Sequence, residues 1–359
     1  MLERTWKKII RRSPYSLWGI PALFLWLASL VYRTGFYLKR VIVGSPVELD
    51  LPVLSIGNIT VGGSGKTPLV AVIANDLINS GVRVGIVSSG YGRSDQQSFL
   101  APGYKVQDMA VAATGDEVML LAQRLPEAVF SVDRVKAQAA RQLAESGQVD
   151  VIVVDDGFQH FALARDIDLV TFDAGLRRRL QKPFPYGVLR EPRRALGRAD
   201  ILVVTRARFA TDLNALKRAL RRLNPDAPIY HCSFIPNHLI GRDRCHSVKY
   251  IHDKSVFLFA GVGNFRALKR QVSTLAGDLD FALELSDHQV YDRPLLERIK
   301  TLADKHESDV ILTTAKDWVK LGDFDFGREF YYLDISVDLD PGEEKLLAYL
   351  REKLNLVTP

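Results

Sequence analysis

Residues Gly62 to Thr67 read Gly-Gly-Ser-Gly-Lys-Thr and follow the apolar run at 51–56, so a strand feeds a glycine-rich loop that opens a helix. Glycines let successive backbone N–H groups turn toward one anion. The lysine of such a loop reaches the β- and γ-phosphates of a nucleotide, and the hydroxyl beside it ligates Mg²⁺. On that chemistry Thr60, Val61, Gly62, Gly63, Ser64, Gly65, Lys66 and Thr67 form a candidate nucleotide loop. It is a variant, because the strict spacing asks for glycine five residues before Gly65, where Thr60 stands. An ordinary Gly-rich turn is the bland alternative, against which the strand before and the apolar 69–73 after both weigh.

Further groups could complete such a site. The run Val151-Ile-Val-Val-Asp155-Asp156 is a buried strand ending in two carboxylates, the form that holds a hard divalent cation beside phosphates. Gly115-Asp116-Glu117 opens an apolar helix, and its acids equally suit a plain helix start. Asp287-His288 has the same double reading. Between 177 and 198 eight Lys or Arg face one acid, Glu191, while Pro183, Pro185 and Pro192 exclude a continuous helix. A loop of that kind clamps an anion. Nucleic acid is the weaker target, since aromatic interleaving is poor.

The elements that must position these groups follow a rhythm. From 51 to 205, β-branched runs alternate with longer helical patterns, which predicts a parallel sheet covered by helices, with ligands beyond the carboxyl ends of its strands. After about Pro236 the pattern restarts with strands near 256–259, 281–285, 310–313 and 330–335 and helices from Phe265, Pro294 and Gly342. The expected organisation is an N-terminal segment over 1–45, a P-loop NTPase-like α/β domain over 46–235 and a smaller α/β domain over 236–359. The stretch 228–254 reads as the connection and hinge.

At 359 residues, 47% hydrophobic and 25% charged, the chain is globular and long enough for two domains. Only Cys232 and Cys245 are present, which fits a reducing compartment, and the nearby His231, His238, His246 and His252 lack zinc-ligand spacing. Of the net charge of +6, the first forty residues carry +7, from Arg4, Lys7, Lys8, Arg11, Arg12, Arg33, Lys39 and Arg40 against Glu3. Among them lie eighteen uncharged residues, Tyr15 to Tyr32. A signal peptide would need a small-residue cleavage site, where Tyr32-Arg33-Thr34 stands. A single span and an interfacial helix both remain, and basic flanks on both sides favour a helix at the cytoplasmic face of a membrane, with Trp18 and Trp26 at the interface. A buried core helix is the bland alternative.

Gly57-Asn-Ile-Thr-Val-Gly-Gly-Ser-Gly-Lys-Thr-Pro68, Ser88-Ser-Gly-Tyr-Gly-Arg93, Gly115-Asp-Glu117, Asp155-Asp-Gly-Phe-Gln-His160, Leu189-Arg-Glu-Pro192, Gly261-Val-Gly-Asn264 and Asp287-His-Gln-Val-Tyr291, in this order, resemble the tetraacyldisaccharide 4'-kinase family of Gram-negative bacteria. Departures are Ser89, Val118 and Phe265. The resemblance implies transfer of the ATP γ-phosphate to the 4'-hydroxyl of an anionic glycolipid, the lipid A disaccharide 1-phosphate, at the cytoplasmic face of the inner membrane. It implies Asp116 as the base, His288 oriented by Asp287 as its partner on domain closure, and Lys66 on the phosphates. Thr67, Asp155, Asp156 and Glu191 would serve Mg²⁺, with Tyr91, Gln159, Arg190 and Asn264 near the substrates. A monomer is expected. The rival is a membrane-associated P-loop ATPase or switch protein. Such proteins usually carry a second lysine where Val61 stands, and Thr314-Ala-Lys-Asp317 has the wrong spacing to read guanine.

Overall fold

A parallel sheet with the order β2-β5-β1-β6-β7-β8 carries the glycine-rich loop. Its strands are β1 (Val53–Asn58), β2 (Val84–Ser88), β5 (Val151–Asp155), β6 (Ile167–Asp173), β7 (Ile201–Thr205) and the start of β8 (Ile229–Ile240). The computed structural model describes residues 5–6, 9–10, 19–63, 65–340 and 343–356. Strands β1, β2, β5 and β7 are buried along their whole length, which is why they read as unbroken apolar runs rather than alternating ones. The register sets Ile56 opposite Asp155 and Asn58 opposite Thr171. Whatever follows β1 therefore neighbours whatever follows β5.

The chain divides into two compact units, residues 1–87, 135–233 and 339–359 forming one and residues 88–134 and 234–338 the other. This differs from the linear division at 45/46 and 235/236. The passage at 233/234 lies close to the second expected boundary, but 88–134 joins the later unit and 339–359 returns to the earlier one. Local periodicity reports an element, not the body it packs into. The stretch expected as a hinge, 228–254, instead forms β8, a short β9 (Cys245–Ser247) paired antiparallel to it, and a 3-10 turn at Val248–Ile251. Pro236 lies within β8, where it offers no N–H to a ladder.

The second unit contributes further parallel strands. Strands β10 (Ser255–Ala260), β11 (Asp278–Glu284), β12 (Val310–Thr314) and β13 (Glu329–Asp340) take the order β11-β10-β12-β13. Along β10, Val256, Leu258 and Ala260 pack with Phe265 and Val272 on one face. Phe257 and Phe259 pack with Leu296 and Ile299 on the other. That period-2 split, with both faces buried under helices Phe265–Ser273 and Arg293–Lys305, is what a covered strand requires. The inserted 88–134 adds an antiparallel pair, β3 (Phe99–Pro102) with β4 (Val129–Val132), and the helix Asp116–Arg124.

The helix Gly19–Ile42 belongs to the first unit. The Tyr32 ring packs edge-on at 5.4 Å from Phe184 and Phe36 at 5.8 Å from Phe161. Leu23, Phe24, Trp26, Leu27, Val31, Leu38, Val41 and Ile42 stay exposed. Among the described residues no helix is long and apolar enough to cross a membrane. Trp18 and the cations at 4, 7, 8, 11 and 12 lie outside the described residues.

Candidate active site

The loop after β1 is shaped by backbone before any side chain acts. Gly62 and Gly65 have φ of 100° and 81°, conformations that L side chains avoid. Gly57 is required by approach instead, because a Cβ there would lie 2.6 Å from the Phe158 Cβ. The start of the loop is pinned to the Arg-rich segment, with Val61 N donating to Val188 O at 2.7 Å and Arg190 N to Ile59 O at 2.8 Å. This pairing delivers the Arg190 side chain. Lys66 and Thr67 open the helix Lys66–Asn79. Ser64 lies outside the described residues.

Asp156 is the hub of this unit. Its Oδ1 is 3.2 Å from Lys66 Nζ and its Oδ2 2.6 Å from Arg190 Nη1. Burial works to raise its pKa, yet the charges of Lys66, Arg190 and Lys136 override that and hold the carboxyl far below its usual range. Its φ of 54° is rare for a residue with a side chain. The buried Lys136 ammonium stabilises that turn by donating to the Asp155 and Asp156 carbonyls. Gln159 is buried and donates to Asn58 O at 2.8 Å and Glu191 Oε1 at 2.9 Å. Glu191, also buried, pairs with Arg198 at 2.9 Å. Gln159 thus joins Glu191 to the end of β1, and its amide oxygen lies 3.5 Å from Arg190 Nη1. Arg206 ion-pairs with Asp173 and donates to Gly63 O at 3.0 Å, a loop contact that sequence reasoning missed.

The hydroxyl of Thr67 and the carboxylates of Asp155 and Asp156 are hard oxygen donors, as Mg²⁺ prefers. Among the described residues no group of three or more His, Cys, Asp or Glu is gathered into a metal site. Mg²⁺ in phosphoryl transfer takes one or two carboxylates and draws its other ligands from phosphates and water, so this donor set fits it.

The second unit gathers a different cluster. Asp116 is the first residue of the helix Asp116–Arg124 and is buried. Gly115, with φ of 88°, lets the turn holding Tyr91 lie against that helix start, since a Cβ there would meet Tyr91 O at 3.1 Å. His288 Nδ1 sits 3.1 Å from Asp116 Oδ2, and the Tyr91 ring packs edge-on to the imidazole at 5.2 Å. Asp116 and His288 therefore meet inside one unit, whereas the sequence reading had them joined by domain closure. Asp287 reaches the ring only at 4.0 Å; its carboxylate accepts from the His288 backbone N–H and from Lys316 Nζ, at 3.1 and 2.8 Å. Lys316 and Lys320 approach Asp116 Oδ2 at 3.8 and 3.4 Å.

Neither lysine was expected. The signal was the Thr314-Ala-Lys-Asp317 tetrad, set aside because it does not fit guanine. Burial would raise the Asp116 pKa, but the His288 hydrogen bond and the two lysines bring it to about 2, so it is a carboxylate at neutral pH. Asn264 caps the helix Phe265–Ser273, accepting from Ala267 N, and is exposed.

The model of the family described as tetraacyldisaccharide-1-P 4'-kinase, LpxK, matches residues 21–355. A tetraacyldisaccharide 4'-kinase of Desulfotalea psychrophila is 32% identical over 86% of this chain and 88% of its own length. One from Vibrio cholerae is 31% identical over 98% and 97%. The crystal structure of LpxK from Aquifex aeolicus in complex with ATP has the same fold, with a TM-score of 0.72 over 93% of this chain and 99% of that one at 24% identity. With the match running through the loop after β1, the Asp156 hub and the Asp116–His288 pair, the chain belongs to the tetraacyldisaccharide 4'-kinase family.

Proposed function

We propose that this protein transfers the γ-phosphate of ATP to the 4'-hydroxyl of tetraacyldisaccharide 1-phosphate in lipid A biosynthesis. The observation that carries the reading is the family match over 21–355. It also favours a kinase over a P-loop switch protein. In the reaction the 4'-oxygen attacks the γ-phosphorus, the bond to the β-phosphate oxygen breaks, and ADP leaves. Backbone N–H groups of 60–67 and the Lys66 ammonium neutralise the phosphates, and Arg190 and Arg206 add positive charge beside them. Mg²⁺, held by Thr67 with Asp155 or Asp156 and by the phosphates, would supply further charge neutralisation. Glu191 belongs to that region through Arg198 and Gln159.

Asp116 accepts the hydroxyl proton in this reading. A carboxyl of pKa about 2 is a weak base. It suffices where the transition state is loose and the proton leaves late. His288 fixes Asp116 through Oδ2. Tyr91, exposed beside His288, is suited to pack on a sugar ring, and Asn264 is suited to a polar contact with the acceptor.

The apolar residues exposed on the helix Gly19–Ile42, with Lys39 and Arg40 in its last turn, support docking at the cytoplasmic face of the inner membrane, where the lipid acceptor lies. The active form is taken as a monomer. The test is an assay with γ-labelled ATP and tetraacyldisaccharide 1-phosphate in mixed micelles. Label should appear in a bisphosphorylated lipid. ATP hydrolysis without labelled lipid would overturn the reading.

A further inference from the structure

The imidazole of His288 is held at both nitrogens. Nδ1 faces Asp116 Oδ2 at 3.1 Å and Nε2 faces Lys316 Nζ at 3.2 Å. An ammonium group has three hydrogens to donate and no lone pair to accept with. If that contact is a hydrogen bond, Nε2 must carry the lone pair, and the single hydrogen of the neutral ring must sit on Nδ1. We infer that Lys316 is a positioning residue: its ammonium engages the Nε2 lone pair of His288 and, with the Asp116 carboxylate at Nδ1, holds the ring neutral with its one hydrogen aimed at Asp116.

Lys316 is itself held in place. It is the second residue of the short helix Ala315–Trp318, whose N-cap Thr314 accepts from Asp317 N. Asp317 is fully buried and accepts from Gly261 N, Tyr291 OH and Thr314 Oγ1, tying the segment to the loop after β10 and to the chain just beyond His288. Asp287 then receives the ammonium at 2.8 Å. Burial works to lower the Lys316 pKa, but Asp287 and Asp116 override it and raise it, so the group stays charged.

The charged groups facing the ring are Asp116, Asp287 and Lys316, while Glu117 acts on Lys316 and Lys320 on Asp116. The hydrogen bond that His288 donates to Asp116 raises the His288 pKa, against burial and Lys316, which lower it. Protonating the ring would point an Nε2–H at an ammonium. The Asp116 carboxylate calls for the hydrogen on Nδ1; Lys316 donates to Nε2 and resists the imidazolium. His288 has φ of 55°, so the ring is presented from a backbone conformation that side chains seldom adopt.

The spectroscopic test needs no turnover and so stands apart from the kinase reading, on which only the kinetic arm rests. The full chain, ¹⁵N-labelled at histidine in detergent, is recorded above the ring's titration, with His288→Gln used to assign the signal. Nδ1 should be protonated and Nε2 bare; the reverse overturns the proposal. In Lys316→Met the ring's titration, followed by the same signal, should move to higher pH, since the cation that opposes the imidazolium is gone. The kcat should fall about tenfold or more with the KM for ATP unchanged. The acid limb of kcat against pH should move to higher pH, and Lys316→Arg should move it part of the way back. A Lys316→Met protein with the wild-type ring titration and acid limb would overturn the inference. If that variant does not fold, Lys316→Gln carries the same titration. A wild-type protein that transfers no phosphate leaves the spectrum intact and refutes only the kinase reading.

Discussion

Asp156 meets its first partner, Lys66, through the pairing of two adjacent strands, whereas Asp116 draws its partners from distant parts of the chain. Strands β1 and β5 pair with Ile56 opposite Asp155, so Lys66 and Asp156 are neighbours as soon as the sheet forms. His288 reaches Asp116 across 172 residues of sequence, and Lys316 reaches it from a third segment. The charge balance differs too. Asp156 is surrounded by Lys66, Arg190 and Lys136, a surplus of cations that suits phosphate. In the second cluster Asp116, Asp287 and Glu117 offset Lys316, Lys320 and His288. A nearly balanced cluster suits moving a proton, because its charge is conserved while the proton changes place.

The contrast breaks first at Lys66. Lys66→Ala should cost kcat at least about 10², since the fold survives but transition-state charge is left unpaired. Near-wild-type transfer to the lipid would remove the first unit from the phosphate chemistry.

The second cluster is tested by Asp116→Ala, His288→Ala and the double variant. Each single change should lower kcat by roughly 10- to 100-fold with little change in nucleotide Kd, and the double variant should lose far less than the product of the two. Multiplicative losses would mean that the 3.1 Å contact couples nothing in turnover.

Replacing Leu23, Phe24, Val31 and Leu38 together by serine removes exposed apolar side chains. Each is worth roughly 1 kcal/mol if half-buried in lipid, so the protein should shift from sedimenting with membranes to the supernatant. Unchanged sedimentation would place the attachment elsewhere in the chain.

The smallest effect sets one histidine of each unit against the other. Burial, then the Lys136 charge, lowers the His160 pKa to about 3. The unfolded chain therefore takes up a proton between pH 6.5 and 3 that the folded chain refuses, and stability falls with acid in that window. The loss should be on the order of 1–2 kcal/mol between pH 7 and 5. His288 has the opposite sign, because its pKa is raised, so it adds stability below pH 6.5 that fades as pH rises through its folded value. In thermal melts, His160→Asn should flatten the acid-side decline and His288→Ala should steepen it. Equal slopes in both variants would contradict these environments.

The sequence by itself determined the α/β class, the glycine-rich loop and the strand-end carboxylates Asp155 and Asp156. These depend on local rules: apolar runs make buried strands, and a lysine after glycines at a strand end meets phosphate. It also brought Asp116 and His288 into view through motif resemblance. Tertiary structure decided which body each segment joins, since 88–134 packs with chain that follows it by more than a hundred residues. It decided that Gln159 joins Glu191 to the end of β1, that β8 is a strand despite Pro236, and that Asp287 grips Lys316 rather than the His288 ring. Lys136 and Lys320 carry no motif, and the tetrad around Lys316 was weighed only against guanine, because a lysine reads as solvated surface until its carboxylate or carbonyl partners are brought to it. Burial and pairing create their roles, and both are properties of the folded chain.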